Sequence, residues 1–159
     1  GRRQCCRYGF GQPLSGGVMS YFHYIRVRFQ HCDPAGIVFY PRYFEMVNQT
    51  IEDWFETIGM GFDRMHGMTA SGVPTAQINT RFHAPSRLGD VLRFTLIPRK
   101  IGGASLTLTV TAHSGDEMRL SCEQVLVYVS LSDGRPRPWP QPLRNAITSQ
   151  LQEQDPTDA

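Results

Sequence analysis

The chemically dense part of the chain is the run His31-Cys32-Asp33-Pro34-Ala35-Gly36-Ile37-Val38-Phe39-Tyr40-Pro41-Arg42-Tyr43. Pro41 suits the first residue of a helix, where its missing N–H costs nothing. Asp33 then lies a few residues ahead of a helix N-terminus, where backbone N–H groups lack partners and the dipole is positive. Such an end can hold a carboxylate or a developing oxyanion. A carboxylate beside an oxyanion site is what thioester hydrolysis requires, either to attack the acyl carbon or to activate water. An Asp-Pro in a loop is also an ordinary turn element. On the residues alone, a turn or capping role for Asp33 stands beside the catalytic one.

The other reactive side chains yield less. His31 and Cys32 invite a Cys–His nucleophile pair, but adjacent residues on an extended segment point apart. Cys32 therefore reads as a packed thiol. His23, His66, His83 and His113 show no ligand spacing, so no metal is expected. No phosphate-binding loop or dinucleotide fingerprint is present, which leaves no case for a nucleoside triphosphate or NAD. Arg87, Arg93, Arg99, Lys100, Arg135 and Arg137 are the cations available to an anionic substrate. The best cluster is Arg99 to Ser105, whose Gly102 and Gly103 would let backbone N–H groups approach a phosphate. An exposed hairpin with solvated charges explains the same residues equally well.

Elements must position these groups. Tyr21, His23, Ile25, Val27 and Phe29 share one parity, and Arg26 and Arg28 the other, so Tyr21 to Phe29 reads as a strand. From Arg42 to Ile58, Phe44, Val47, Ile51, Trp54, Phe55 and Ile58 recur at spacings of three and four, with Tyr43 and Met46 widening the stripe. Glu45, Glu52, Asp53 and Glu56 occupy the opposite side, and Gly59 is a natural stop. Gly59 to Pro74 is irregular, with a short helix around Phe62 to His66. Four strands follow: Thr75–Phe82, Val91–Arg99 after the Gly89-Asp90 turn, Ser105–Ser114, and Glu117–Leu131 after a Gly115-Asp116 hairpin. Pro136, Pro138, Pro140 and Pro142 impose an extended tail, closed by a short helix from Leu143 to Leu151. A helix with one broad apolar face needs a sheet to cover it. Four hairpin-linked strands wrapped on that helix make an α+β architecture.

The bulk numbers agree with one domain. The chain has 159 residues, 40% hydrophobic and 19% charged, and a net charge of +2. That charge is too weak to argue for nucleic acid, and no apolar run is long enough for a membrane span. Cys5, Cys6, Cys32 and Cys122 form neither a disulfide framework nor a metal spacing, which points to a reduced, cytoplasmic setting. Residues 1–18 are Gly- and Arg-rich without a period. They read either as an extension ahead of Met19 or as a loosely packed arm. The folded domain is expected over 19–145, with 146–159 as a tail.

The stretch from Arg26-Val27 to Tyr43 resembles the signature of the 4-hydroxybenzoyl-CoA thioesterase family. There a basic and a β-branched residue lead to Cys-Asp, then Pro-Ala-Gly-Ile-Val, an aromatic pair and a long helix. Gly72-Val73-Pro74 and the Gly89-Asp90 turn are further points of similarity. The resemblance continues more weakly over Tyr21 to Pro142. It implies a hotdog fold, an antiparallel sheet of about five strands around one long central helix, which agrees with the order read above. It implies Asp33 as the catalytic carboxylate and the Tyr40 backbone N–H as the group that polarises the thioester carbonyl. Gly36 would permit close approach of the substrate. Short-chain relatives often carry a His near the position of Pro41, so a His-assisted mechanism is not expected. Phe39 and Tyr40 favour an apolar, aromatic acyl pocket.

The implied activity is cofactor-free hydrolysis of an acyl-CoA with an aromatic or short-to-medium acyl group. Phe39, Gly36, Arg99 and Lys100 would bind the substrate. The implied assembly is a homodimer or homotetramer with the site between subunits. A non-catalytic acyl-CoA-binding module is the alternative. A dehydratase acting on acyl carrier protein would need a His and a Pro- and Gly-rich helix lead-in that this chain lacks.

Overall fold

The computed structural model describes residues 9–10 and 20–151. In chain order the elements are β1 (Gly9–Phe10), β2 (Tyr21–Arg26), α1 (Tyr40–Thr57), α2 (Phe62–Met68), β3 (Ser71–Gly72) and β4 (Thr75–Phe82). They continue as β5 (Val91–Ile101), β6 (Ser105–Ser114), β7 (Glu117–Val127), β8 (Val129–Ser130) and α3 (Gln141–Gln150). The main sheet is antiparallel in the order β1-β2-β5-β6-β7-β4, and β3 pairs with β8 separately. Five long strands thus carry α1 on one face, which is the hotdog architecture.

Alternation decides which face is dry. Leu92, Phe94 and Leu96 of β5, Leu106, Leu108, Val110 and Ala112 of β6, and Leu120, Cys122 and Leu126 of β7 are buried. They meet Tyr43, Met46, Val47, Ile51, Trp54 and Phe55 of α1. Removing a side chain the size of Phe55 from such a core costs about 3–5 kcal/mol. Two glycines end elements where the sequence placed stops. Gly59 adopts φ +87° after α1, and Gly115 adopts φ +59° in the two-residue β6–β7 turn.

Several expectations are corrected. The four late strands are not consecutive hairpin neighbours, because β4 lies beside β7, at the far edge from β2. The segment 83–90 crosses roughly 14 Å of sheet, three strand spacings, and its eight residues span this easily. The first strand stops at Arg26, since β5 begins at Val91 and offers no further partner. Phe29–His31 instead form a 3-10 turn, and Phe29 is 84% exposed. Helix α1 begins at Tyr40, one residue before Pro41, and Tyr43 is buried where Phe44 is only half-buried.

The boundary expected at 145 falls inside α3, whose Leu143 and Ile147 are both buried in the core. Of the expected extension over 1–18, Gly9–Phe10 pairs with β2, and the rest lies outside the described residues.

One polar group is built into the core. His23 on β2 lies 2.6 Å from Thr50 Oγ1 on α1. The Thr50 hydroxyl donates to Met46 O at 2.8 Å, so His23 Nε2–H is the donor to Thr50. His23 Nδ1 stands 3.6 Å from Asp53 Oδ2. Burial lowers the His23 pKa to about 4.

Candidate active site

Asp33 opens a tight turn. Its C=O accepts from Gly36 N–H at 2.9 Å, with Pro34 second and Gly36 fourth, where φ is +79°. Its Oδ1 accepts from Ala35 N–H at 2.9 Å, a turn closed by the side chain. Asp33 N–H donates to Ile37 O at 2.9 Å. The two ends are then tied to each other and to the crossover. Cys32 bridges Val38, Ile37 bridges Arg87, and Val38 N–H donates to Ser86 O at 2.9 Å. The turn role and a chemical role are therefore compatible, because one carboxylate oxygen suffices for the turn.

The helix start is arranged around a single amide. Phe39 is the N-cap residue; its N–H donates to His31 O at 2.9 Å and its C=O accepts from Arg42 N–H at 2.8 Å. Pro41 has no N–H. Tyr40 N–H is therefore the donor left at this end without an intrahelical acceptor. Nearby, Asp33 lines a cavity of about 290 Å3 together with Gln30, Cys32, Pro34, Phe39 and Arg42. Residues Phe39 and Tyr40 are 48% and 59% exposed. Phe82 at the end of β4 packs its ring 6.2 Å from Tyr40 and 5.8 Å from Tyr43. The aromatic character expected at Phe39 and Tyr40 is thus extended by a residue from the opposite edge of the sheet.

Asp33, Gly36, Phe39 and Tyr40 share this loop and helix end. Arg99 and Lys100 do not join them. Both lie at the far end of β5, while the Asp33 loop docks near Val91, where Val27 N–H donates to Asp90 O. Arg99 is eight residue steps along the strand from Val91, roughly 27 Å. The glycine turn beyond them is already engaged. Gly102 N–H donates to Ser105 O, Gly103 O accepts from Trp139 N–H, and Gly102 O accepts from Arg144 Nη1.

Gln30, Cys32, Pro34 and Arg42 line the cavity without having been expected there from the sequence, Cys32 having been read as a packed thiol. Arg42 had a signal, since it sits three residues after Phe39 and so on the same side of the first helical turn. Gln30 had none. Arg42 Nη1 pairs with Glu45 Oε1 at 2.9 Å across an exposed i, i+3 step. Burial lowers the His31 pKa, helped by Arg42 and Arg28 and opposed by Glu45. Arg28 N–H donates to His31 Nδ1 at 2.8 Å, which fits a neutral ring. Cys32 and Cys122 are free thiols. Cys32 Sγ points at Arg28 O, 3.6 Å away, so no Cys–His pair forms.

The fold and this site together define a class. Residues 27–147 match the thioesterase-like superfamily, and the chain belongs to it. A 1,4-dihydroxy-2-naphthoyl-CoA hydrolase of Thermosynechococcus vestitus is 26% identical over 119 residues, 74% of this chain and 81% of that protein. Two solved structures share the fold at low identity. A 1,4-dihydroxy-2-naphthoyl-CoA thioesterase from Synechocystis superposes with a TM-score of 0.75 at 18% identity, covering 81% of this chain and 96% of its own. A Staphylococcus aureus protein in complex with CoA gives a TM-score of 0.80 at 16% identity, covering 87% of each chain. Among the described residues no helix is long and apolar enough to cross a membrane.

Proposed function

We propose that this chain hydrolyses an aromatic acyl-CoA to CoA and the free acid, with Asp33 as nucleophile or general base. One observation carries the reading. A carboxylate anchored through one oxygen lines a cavity beside the start of α1, whose Tyr40 N–H is the helix-end donor without an intrahelical acceptor. The thioester carbonyl would accept from that N–H, and its acyl carbon would face the Asp33 carboxylate. Charge developing on the carbonyl oxygen is met by the amide and by the positive end of the helix. Phe39 and the Phe82–Tyr40 pair supply flat apolar surface, which suits an aryl group better than a linear chain. The relatives named for hydroxynaphthoyl-CoA thioesters support the same class. The reaction needs water as second substrate and no cofactor.

In this pose Arg99 and Lys100 of the same chain lie beyond the reach of the pantetheine arm. The pantetheine arm is about four residue-lengths of extended chain, roughly 14 Å, against the ~27 Å above. Arg87, exposed and bridged to Ile37, is the nearer candidate.

The assembly belongs to the proposal as well. Strand β4 pairs on one side with β7 and closes the sheet on the other, with Ile78 and Phe82 42% and 46% exposed. Such an edge invites pairing with a second copy, and a homodimer formed there, able to double into a tetramer, would shelter the aromatic group beside Tyr40.

Thiol release from a panel of aroyl- and alkanoyl-CoAs tests the activity. Turnover highest for aroyl esters is expected. Tight binding of acyl-CoA with no turnover on any ester would favour the non-catalytic module.

A further inference from the structure

We propose that Arg119 is a positioning residue for the Asp33 loop, acting through the 83–90 crossover. In the β6–β7 ladder Ala112 pairs with Leu120 and His113 with Met118, so Arg119 is the extra residue of a β-bulge. A bulge re-aims a side chain out of the regular alternation, and bulges concentrate next to active sites. This one sends the guanidinium into the crossover. Arg119 Nη1 lies 2.9 Å from Pro85 O, 3.2 Å from Ser86 Oγ and 2.9 Å from Asp90 Oδ2. Its Nε forms an ion pair with Glu117 Oε1 at 2.7 Å. Its carbonyl accepts from His83 N–H at 2.8 Å. The side chain is 13% exposed, so these contacts are largely sheltered from solvent.

The crossover has no helix or strand of its own to fix its path. At its β5 end the Val27 backbone holds it, donating to Asp90 O and accepting from Gly89 N–H; the remainder is tied by the Arg119 hub together with Asp90, whose Oδ2 also accepts from Arg87 N–H at 2.9 Å. That N–H first, then Arg119, holds the Asp90 carboxyl below its ordinary pKa. The crossover in turn shapes the loop. Ser86, fully buried, takes Val38 N–H on its carbonyl, and Arg87 bridges Ile37, whose own carbonyl takes Asp33 N–H. Three hydrogen-bonded steps therefore lead from the guanidinium to the backbone of Asp33, through Ser86 to Val38 N–H and, across the Ile37–Val38 peptide, from Ile37 O to Asp33 N–H, and the chain itself runs on from Val38 through Phe39 to Tyr40. A lone ammonium cannot match a planar fork that meets the crossover through Nη1 and Glu117 through Nε, because one point donor cannot occupy both places. A plain sheet staple at this position would affect stability alone. The position of the hub predicts an effect on turnover.

This inference rests on the reading of Asp33 as the catalytic carboxylate, so the experiment has two arms. In the full chain, Arg119→Met should lower kcat by at least ~10-fold while KM stays within ~3-fold, because the lost contacts act on the geometry of the reacting group. Arg119→Lys should recover part of that loss. The second arm follows amide hydrogen exchange by NMR. The N–H groups of Asp33 and Val38 should exchange at least ~10-fold faster in Arg119→Met, while those of Leu106 and Leu108 in β6 keep their rates, since the opening is local. Should Arg119→Met fail to fold, Asp90→Ala removes one acceptor and the Arg87 contact at a more exposed position, and the same changes are expected, several-fold in size. A folded variant with kcat within twofold of wild type, or with unchanged exchange at Asp33 and Val38, overturns the inference. If wild type releases no thiol from any acyl-CoA, the catalytic reading fails, and the exchange arm alone decides the positioning role.

Discussion

Replacing Asp33 by Asn separates chemistry from turn-making at one position. Among the described residues the carboxylate has one hydrogen-bond partner, Ala35 N–H on Oδ1 at 2.9 Å. An Asn presents the same oxygen to the same donor. The loss is then the difference between a charged and a neutral hydrogen bond at a half-exposed site, no more than about 1 kcal/mol. Asp33→Ala should cost roughly 1 kcal/mol more, because it removes the acceptor altogether. Turnover responds on a different scale. A positioned acid–base or nucleophilic carboxylate contributes at least ~10²-fold, about 2.7 kcal/mol of barrier at 1.36 kcal/mol per tenfold. The fall should appear equally in kcat and kcat/KM, with acyl-CoA still binding, because the charge acts at the transition state. The assay is thiol release under saturating ester, beside a melting curve for the same preparation. A folded Asp33→Asn protein that turns over its best ester within a few-fold of wild type would refute the assignment. Rapid quenching and mass spectrometry of the wild type would then separate direct attack, which leaves an acyl-enzyme, from activation of water, which does not.

Three further outcomes follow from the geometry. His23 resists protonation when folded down to about pH 4, whereas the unfolded chain takes up the proton near its ordinary pKa of 6.5, so stability falls as pH drops through that window and is unaffected by this group above it. The loss should reach on the order of 3 kcal/mol, and His23→Gln should flatten the slope in denaturant titrations; an unchanged slope would remove His23 from the account. Arg87→Ala should raise KM for CoA esters several-fold with little change in kcat, an effect that shrinks as salt rises. Replacing Arg99 and Lys100 together should leave KM within about twofold, and the reverse pattern would relocate the phosphate site. Sedimentation at micromolar concentration should find at least twice the 18.0 kDa of the chain, and Asn79→Pro, on the β4 edge, should shift it towards monomer; a wild type sedimenting as a single chain excludes the edge-to-edge dimer.

Local chemistry made much of the fold legible. The spacing of Val47, Ile51, Trp54 and Phe55 specifies one helix face because side chains three and four apart stack on one side of a turn. The alternation in Ser105–Ser114 and the Gly115-Asp116 turn specify a hairpin for the same kind of reason, since neighbours in sequence are neighbours in space. The position of Asp33 ahead of a helix start was legible too, because the unpaired amides of a helix end are a local property, whereas a catalytic role for Asp33 and the role of the Tyr40 amide came from the family resemblance. The order of the strands was not local. Nothing in Thr75–Phe82 says that it will pair with β7 rather than β5, because backbone hydrogen bonds are the same for any partner, and the choice depends on which arrangement covers α1. The placement of Arg99 and Lys100 followed from that order, and their charge says nothing about the ~27 Å of strand between them and Val91, near which the Asp33 loop docks. Gln30 and Arg42 became cavity residues when the loop folded back on the helix. Arg119 became part of the same neighbourhood only when a bulge in β7 and a crossover from the opposite edge brought residues 86 positions apart into one hydrogen-bonded path. Sequence distance carries no information about such contacts, which exist only after the sheet has closed over its helix.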